Sequence, residues 1–401
     1  MFVLQGRRSA AAAIAASLAL AVFSQSAVAQ VSSQPPVKVG WLVALTGPNS
    51  SPGIGFDRGI KYAAEEINKA GGIKGRKLEV ITRDTQGDPT KAVNAALELI
   101  NKEGVEFTIG PTNSGEGLAT TPVIARSKIP SLVYGVVDTL IDPQKYPYAF
   151  RVLPSNQQWT EAVHNYALNV LKSKKIGIIG DATGYGTATT NLSETALKGL
   201  GATIAYKGLV EANQTDLTVE MQKAKAAGAE VMLVWSDSAG LNSRLMNARA
   251  DIGWNVPLVG HPAMGSGSVK PLLSKPENWN DVFIIGYQSM SFDGAGKLPA
   301  RTEKFLGEVS KSVRIDDTTL WWVAAGYDAI QLIKHAIETG GSSKPDDVKR
   351  VWESTKDFPG IFGTYTYSPA NHNGYPVNGV AMNRANSFLT GAYVLAPGYG
   401  K

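Results

Sequence analysis

Short apolar runs alternate along this chain with stretches whose apolar residues recur every three or four positions. The runs 37–45 (VKVGWLVAL), 77–84 (KLEVITRD), 105–110 (VEFTIG) and 130–135 (PSLVYG) have the length of buried strands. Between them Ile60, Ala63, Ala64 and Ile67 share one helical face ahead of Gly71-Gly72, and Ala92, Ala95, Ala96, Leu99 and Ile100 share another. Strand and helix in strict alternation imply right-handed parallel crossovers and a doubly wound sheet. The segment 148–155 is expected to be a strand that leaves this sheet, because a second alternating set follows it. That set places helices at 157–171, 187–200, 216–227 and 239–252, and strands at 175–181, 203–210, 231–236 and 257–260. The run 282–288 resembles a returning connector. Helical patterns at 300–312 and 322–339 have no strand between them and are assigned to the first lobe; the strand-like tail with its apolar run at 387–395 is assigned to the second. The expected fold is α/β, two doubly wound lobes joined by a three-strand hinge, with 37–152 and 288–362 in lobe one and 153–287 and 363–401 in lobe two.

The first 29 residues do not fit this pattern. Arg7 and Arg8 precede an apolar run from Ala10 to Val22, and Ala27-Val28-Ala29 offers a small-x-small cleavage site, so a secretory signal peptide is expected over 1–29. Its removal takes two arginines and no acid, lowering the net charge from +5 to +3. Basic residues are scattered among acids, which gives no support to a nucleic-acid or lipid surface. The chain has no cysteine, so disulfides, thiolate metal sites and cysteine nucleophiles are excluded. Its four histidines show no HExxH-like spacing, and no metal or cofactor is expected.

The turn 111–115 (PTNSG) follows the strand at 105–110 and opens a helix whose free N–H groups would face out of the carboxyl end of the sheet, where open α/β sheets hold ligands. Ser114 is therefore a candidate ligand contact, or only an N-cap; Asn113 is a contact or a turn stabiliser. The loop after the next strand, with Gly135, would face the same ligand. Tyr185, between Gly184 and Gly186 at a strand end, can reach across a cleft. Asp237 closes the strand 231–236 as a ligand group or a cap, and Trp235 beside it suits core or cleft equally. Two nucleotide and hydrolase patterns fail: in GIGFDRG (53–59) Arg58 stands where the third glycine of GxGxxG belongs, and in SDSAG (236–240) Ser236 replaces the first glycine of GxSxG. No catalysis is expected.

The strings 65–80 (EEINKAGGIKGRKLEV), 84–93 (DTQGDPTKAV), 107–115 (FTIGPTNSG) and 181–188 (DATGYGTA) resemble the corresponding segments of periplasmic substrate-binding proteins of the leucine/isoleucine/valine-binding type, over nearly the whole chain after residue 29. The resemblance implies the type I periplasmic binding protein fold, capture of a small solute, delivery to the membrane components of an ABC permease, a periplasmic location and a monomer. It implies that Ser114 meets a ligand carboxylate, that Gly135 offers backbone, and that Tyr185 comes from lobe two. This sequence departs from the amino-acid binders elsewhere: Val137 replaces a threonine, Pro52 replaces a cleft aromatic, and the acid for the ligand's ammonium falls at or beside Pro262, next to His261. Asp237 stands at another lobe-two contact, and Trp322, more than Trp321, is placed to cover the ligand unless it is only packing. The expected ligand is a branched-chain amino acid or an aromatic or other hydrophobic carboxylate. Amides or urea-like solutes, and a sensor that signals to a partner, are the alternatives.

Overall fold

The computed structural model describes residues 34–399, so the expected signal peptide lies outside the described residues. Five parallel strands form the first sheet: β1 (Val37–Val43), β2 (Leu78–Asp84), β3 (Phe107–Ile109), β4 (Ser131–Val133) and β5 (Ala149–Arg151), in the order β2-β1-β3-β4-β5. The second contains β6 (Lys175–Asp181), β7 (Thr203–Val210), β8 (Val231–Trp235), β9 (Leu258–Gly260) and β10 (Val282–Tyr287). Its order from β10 is β10-β9-β8-β6-β7, with the antiparallel strand Val380–Arg384 on the outer side of β10. Each sheet reverses its strand order once, between β1 and β3 and between β6 and β8. Ligands of open α/β sheets sit outside the strand ends at such reversals.

Helices flank the sheets because their apolar stripes need a partner. Ser50–Lys69 buries Phe56, Ile60, Ala63 and Ile67 and packs on Leu320–Gly340. The crossing is close enough to require glycine: a Cβ at Gly59 would stand 1.9 Å from the Val323 carbonyl oxygen. Helix Leu320–Gly340 begins two residues before the expected 322, which puts Trp321 and Trp322 in its first turn. Helix Pro345–Ser354, absent from the sequence expectation, docks on it through Trp352 Nε1, which donates to the Leu332 carbonyl at 3.0 Å.

Three expectations need correction. Residues 148–155 do not leave the sheet as a strand: β5 is its fifth member, in register with β4, and the chain crosses only after it. The run 282–288 is no mere connector either, for β10 pairs with β9 on one side and with Val380–Arg384 on the other. A strand paired on both sides and covered on both faces must be apolar throughout, and a buried connector has the same composition. The tail from residue 363, expected wholly in lobe two, is a further correction: Tyr365, Tyr367 and Asn373 lie against Asp328, Phe150 and Arg151 on the first sheet's side, and only the strand Val380–Arg384 joins the second sheet.

Candidate functional site

The strand-end loops of the two sheets meet over a narrow cavity of about 30 Å³. Its wall includes Pro52, Phe56, Thr112, Asn113, Ser114, Tyr134, Val136, Trp159, Tyr185, Asp237, His261, Trp321 and Trp322. From the first sheet comes the helix Ser114–Arg126. Asn113 caps it: its Oδ1 accepts from Gly115 N–H at 2.7 Å, and the Glu116 carboxylate accepts from Asn113 N–H at 3.3 Å. Ser114 is thus free of the capping role. Its Oγ accepts from the backbone N–H groups of Val136 (3.0 Å) and Val137 (3.3 Å), which occupy both lone pairs and leave the O–H to donate. Gly135 permits this approach, since a Cβ there would fall 2.6 Å from Leu140 Cδ1 and 3.1 Å from Ser114 Cα.

From the second sheet, Tyr185 sits in the first turn of helix Gly184–Gly199, whose N-cap Thr183 accepts from Gly186 N–H at 3.2 Å. The Tyr185 hydroxyl is buried and has no hydrogen-bond partner among the described residues. Its ring meets Trp159 edge-on at 6.3 Å and His261 at 5.2 Å. His261 holds its own loop, Nδ1 accepting from Ala263 N–H at 3.1 Å, and burial lowers its pKa to about 3, so it is a neutral wall. Facing these rings, Phe56 stacks on Tyr134 at 4.3 Å and lies edge-on to Trp321 at 5.8 Å.

The sequence candidates are therefore divided. Ser114, Asn113, Tyr185, Asp237, His261 and Trp322 converge on the cavity, as does Pro52. Trp235 is fully buried within β8 and off the wall, Gly135 shapes the loop beneath Ser114, and Val136 rather than Val137 faces the cavity. Asn49, Phe56, Tyr134 and Trp159 were not anticipated. For Asn49 a usable sign is its place after Pro48 at the N-cap position of helix Ser50–Lys69, in the loop that follows β1; Trp159 lies four residues after the N-cap Ser155, in the first turn of a helix that reaches the cavity. A larger open groove of about 1140 Å³ lies between helices Asn156–Asn165 and Gly184–Gly199, away from both strand reversals.

Asp237 joins the two sides. Its carboxylate accepts from Asn113 Nδ2 at 2.8 Å and from Asn49 Nδ2. Burial first, then the nearby Asp181, pushes its pKa up to about 8, with Glu116 adding to the rise and Asn113 opposing it. Glu116 is itself raised to about 7 by burial, and no basic side chain contributes at either acid. If the lobes part, Asp237 returns to water and to the ordinary range near 4, and bringing them together would take up a proton between those values. That contribution is fully present below the open-form pKa and is lost as pH rises through the closed-form one. For an amine-free carboxylate, affinity is expected to fall by up to about tenfold per pH unit between pH 5 and 8. Calorimetric titrations across that range check this: Asp237→Asn should flatten the profile, and a flat wild-type profile would refute the coupling.

Among the described residues no group of three or more His, Asp or Glu side chains is arranged to hold a metal, and no helix is long and apolar enough to cross a membrane.

A model of the family described as "Periplasmic binding protein" matches residues 36–387. A Leu/Ile/Val-binding protein homolog of Brucella melitensis is 27% identical over 339 residues, covering 83% of this chain and 87% of the relative. Two solved structures share the fold. One is a branched-chain amino acid transporter substrate-binding protein of Streptococcus pneumoniae in complex with isoleucine (TM-score 0.77, 21% identity, 90% of this chain and 99% of that one). The other is a solute-binding protein of an ABC transporter from Rhodopseudomonas palustris in complex with p-hydroxybenzoic acid (TM-score 0.74, 20% identity, 88% and 93%).

Proposed function

Because the chain belongs to the periplasmic binding protein family, we propose that it is the solute-binding component of a periplasmic ABC importer and captures a small hydrophobic carboxylate, unchanged, between its lobes. The moving bodies are 37–152 with 288–376, and 153–287 with 377–399, acting as a monomer that presents its closed form to the permease. Ser114 carries the reading: its hydroxyl is left as a pure donor at a helix start, beside backbone amides, in a water-excluding site. The wall of Phe56, Tyr134, Trp159, Tyr185, Trp321 and Trp322 favours a flat ring, which would bury large area between stacked and edge-on faces once the walls of the cavity, about 30 Å³ as it stands, move apart to admit it. The relatives' ligands, isoleucine and p-hydroxybenzoic acid, support the class and span its two arms. Asp237 favours a second arm, an amino acid whose ammonium would replace the missing cation beside it.

A thermal-unfolding screen separates the arms. Saturation at about 100 times the dissociation constant adds roughly 2.7 kcal/mol, and shifts with amine-free aromatic acids would favour the first. Shifts with amino acids alone would favour the second, while response only to amides would remove the carboxylate. Ser114→Ala is expected to weaken binding by about 1 to 3 kcal/mol, through loss of a hydrogen bond to a charged group in a dry site. Unchanged affinity by calorimetry would dismiss Ser114 as the anchor.

A further inference from the structure

Arg151, the last residue of β5, is almost wholly buried, and its charge is poorly compensated. Nη2 donates to the Val137 carbonyl oxygen at 2.6 Å. The carboxylate that pairs with it, Asp138, is 3.8 Å from Nη1 and half-exposed, and Nε has no partner among the described residues. The backbone beneath is fixed, with Arg151 N–H donating to the His372 carbonyl at 2.9 Å and the Arg151 carbonyl accepting from the Tyr367 hydroxyl at 3.0 Å. Burying a guanidinium for so few bonds costs stability that an apolar side chain of similar volume would spare. What the arrangement does control is the loop it grips. Val137 carries one of the two amides that meet Ser114 Oγ; the carbonyl of Val136, which carries the other, accepts from Asn156 N–H at 2.8 Å.

We infer that Arg151 is a positioning and charge-selecting residue of the interlobe site. It aims the Val136 and Val137 amides at Ser114 through the Val137 carbonyl, and its buried positive charge favours an anionic ligand over the neutral analogue. The inference rests on the carboxylate reading of the cavity. Burial lowers the Arg151 pKa to about 10, with Asp138 opposing, so the side chain keeps its charge at neutral pH. A fixed charge in a low-dielectric layer acts on a ligand it does not touch, since solvent cannot screen it.

The test compares carboxylates with their own primary amides by calorimetry on the mature protein: benzoate with benzamide, 4-hydroxybenzoate with its amide, L-phenylalanine and L-isoleucine with theirs. Loss of folding or loop order weakens both members of a pair, whereas loss of charge selection weakens one. Arg151→Met is expected to lower the carboxylate-to-amide affinity ratio about tenfold, and Arg151→Lys to restore part of it. Asp138→Asn, at a half-exposed site, removes the nearest counter-ion and should raise the ratio about two- to fivefold. An unchanged ratio in Arg151→Met overturns the inference; if that variant does not fold, an unchanged ratio in Asp138→Asn does so. Ser114→Ala on the same pairs separates the two claims: if it lowers carboxylate affinity while the arginine variants leave the ratio alone, the carboxylate site stands and the role of Arg151 falls. A wild-type protein that binds none of the carboxylates, or prefers the amides, overturns both.

Discussion

Gly184→Val is expected to fold normally and to bind ligand at least about 100-fold more weakly, a loss near 3 kcal/mol. Gly184 opens helix Gly184–Gly199 on one lobe, and Gly115 lies in the first turn of helix Ser114–Arg126 on the other. A Cβ on Gly184 would stand 2.7 Å from Gly115 Cα and 3.4 Å from Leu118 Cδ1. The first of these is a backbone atom at a capped helix start, so it cannot swing aside. The lobes must then part by about an ångström, and the branched methyls of valine demand more. Parting them breaks the bonds from Asn113 and Asn49 to Asp237, which link the two sides of the cavity. Stability should be spared, because Gly115 and Gly184 are only half-buried and meet each other and not the core of either sheet. Calorimetry with any ligand from the screen, together with an unfolding curve, decides the matter, and Gly184→Ala should be intermediate. Affinity within threefold of wild type would show that the two helix starts need not touch.

Asp328→Ala is expected to cost about 3 to 5 kcal/mol of stability and little ligand affinity in the folded fraction. Oδ1 accepts from Ile361 N–H at 2.7 Å; Oδ2 accepts from Phe362 N–H at 2.8 Å, Gly363 N–H at 3.4 Å and the Tyr365 hydroxyl at 2.9 Å. One carboxylate thus ties the loop after residue 360 to the middle of helix Leu320–Gly340. Burial pushes its pKa up to about 7 against these four bonds, each of which pulls it down. Truncation would leave three amides and a hydroxyl unpaired in the core, which is costlier than losing the bonds alone. Asparagine would turn an NH₂ toward groups that donate, so it should restore little. Denaturant unfolding gives the difference directly, and a loss under 1 kcal/mol would mean that water reaches the freed amides.

The alternation of strands and helices was legible because parallel strands covered on both faces leave uninterrupted apolar runs, as in Val37–Val43 and Val231–Trp235. The same property hid β10. Its run could pair or merely cross, and only partners distant in sequence, Leu258–Gly260 and Val380–Arg384, decide between them. In the cavity, residues at strand ends and helix starts such as Ser114, Tyr185 and Asp237 stood out by position. Phe56, Tyr134 and Trp159 did not, since an aromatic residue on a buried helix or strand end looks the same whether it fills a core or walls a cleft. Trp235 shows the converse: it closes an apolar strand at the level of the site, yet its pleat turns it into the core. Arg151 was passed over because a lone arginine ending a strand ordinarily reaches solvent, and nothing local shows that the tail segment with Tyr367 and His372 covers it.

The antiparallel strand Val380–Arg384 also governs timing. It comes within the last two dozen residues, yet it covers the flank of β10 in a sheet whose first strand begins some two hundred residues earlier. On the first sheet's side, Leu320–Gly340 packs on the helix Ser50–Lys69 that follows β1, and Pro345–Ser354 packs on Leu320–Gly340 with Trp352 beside Phe107 and Phe150. Contacts separated this far along a polymer form late and slowly, because a large loop must close before either end gains anything. Neither half can be finished while the chain is still being delivered amino end first. Each sheet therefore keeps one side uncovered until a segment far along the chain has closed on it.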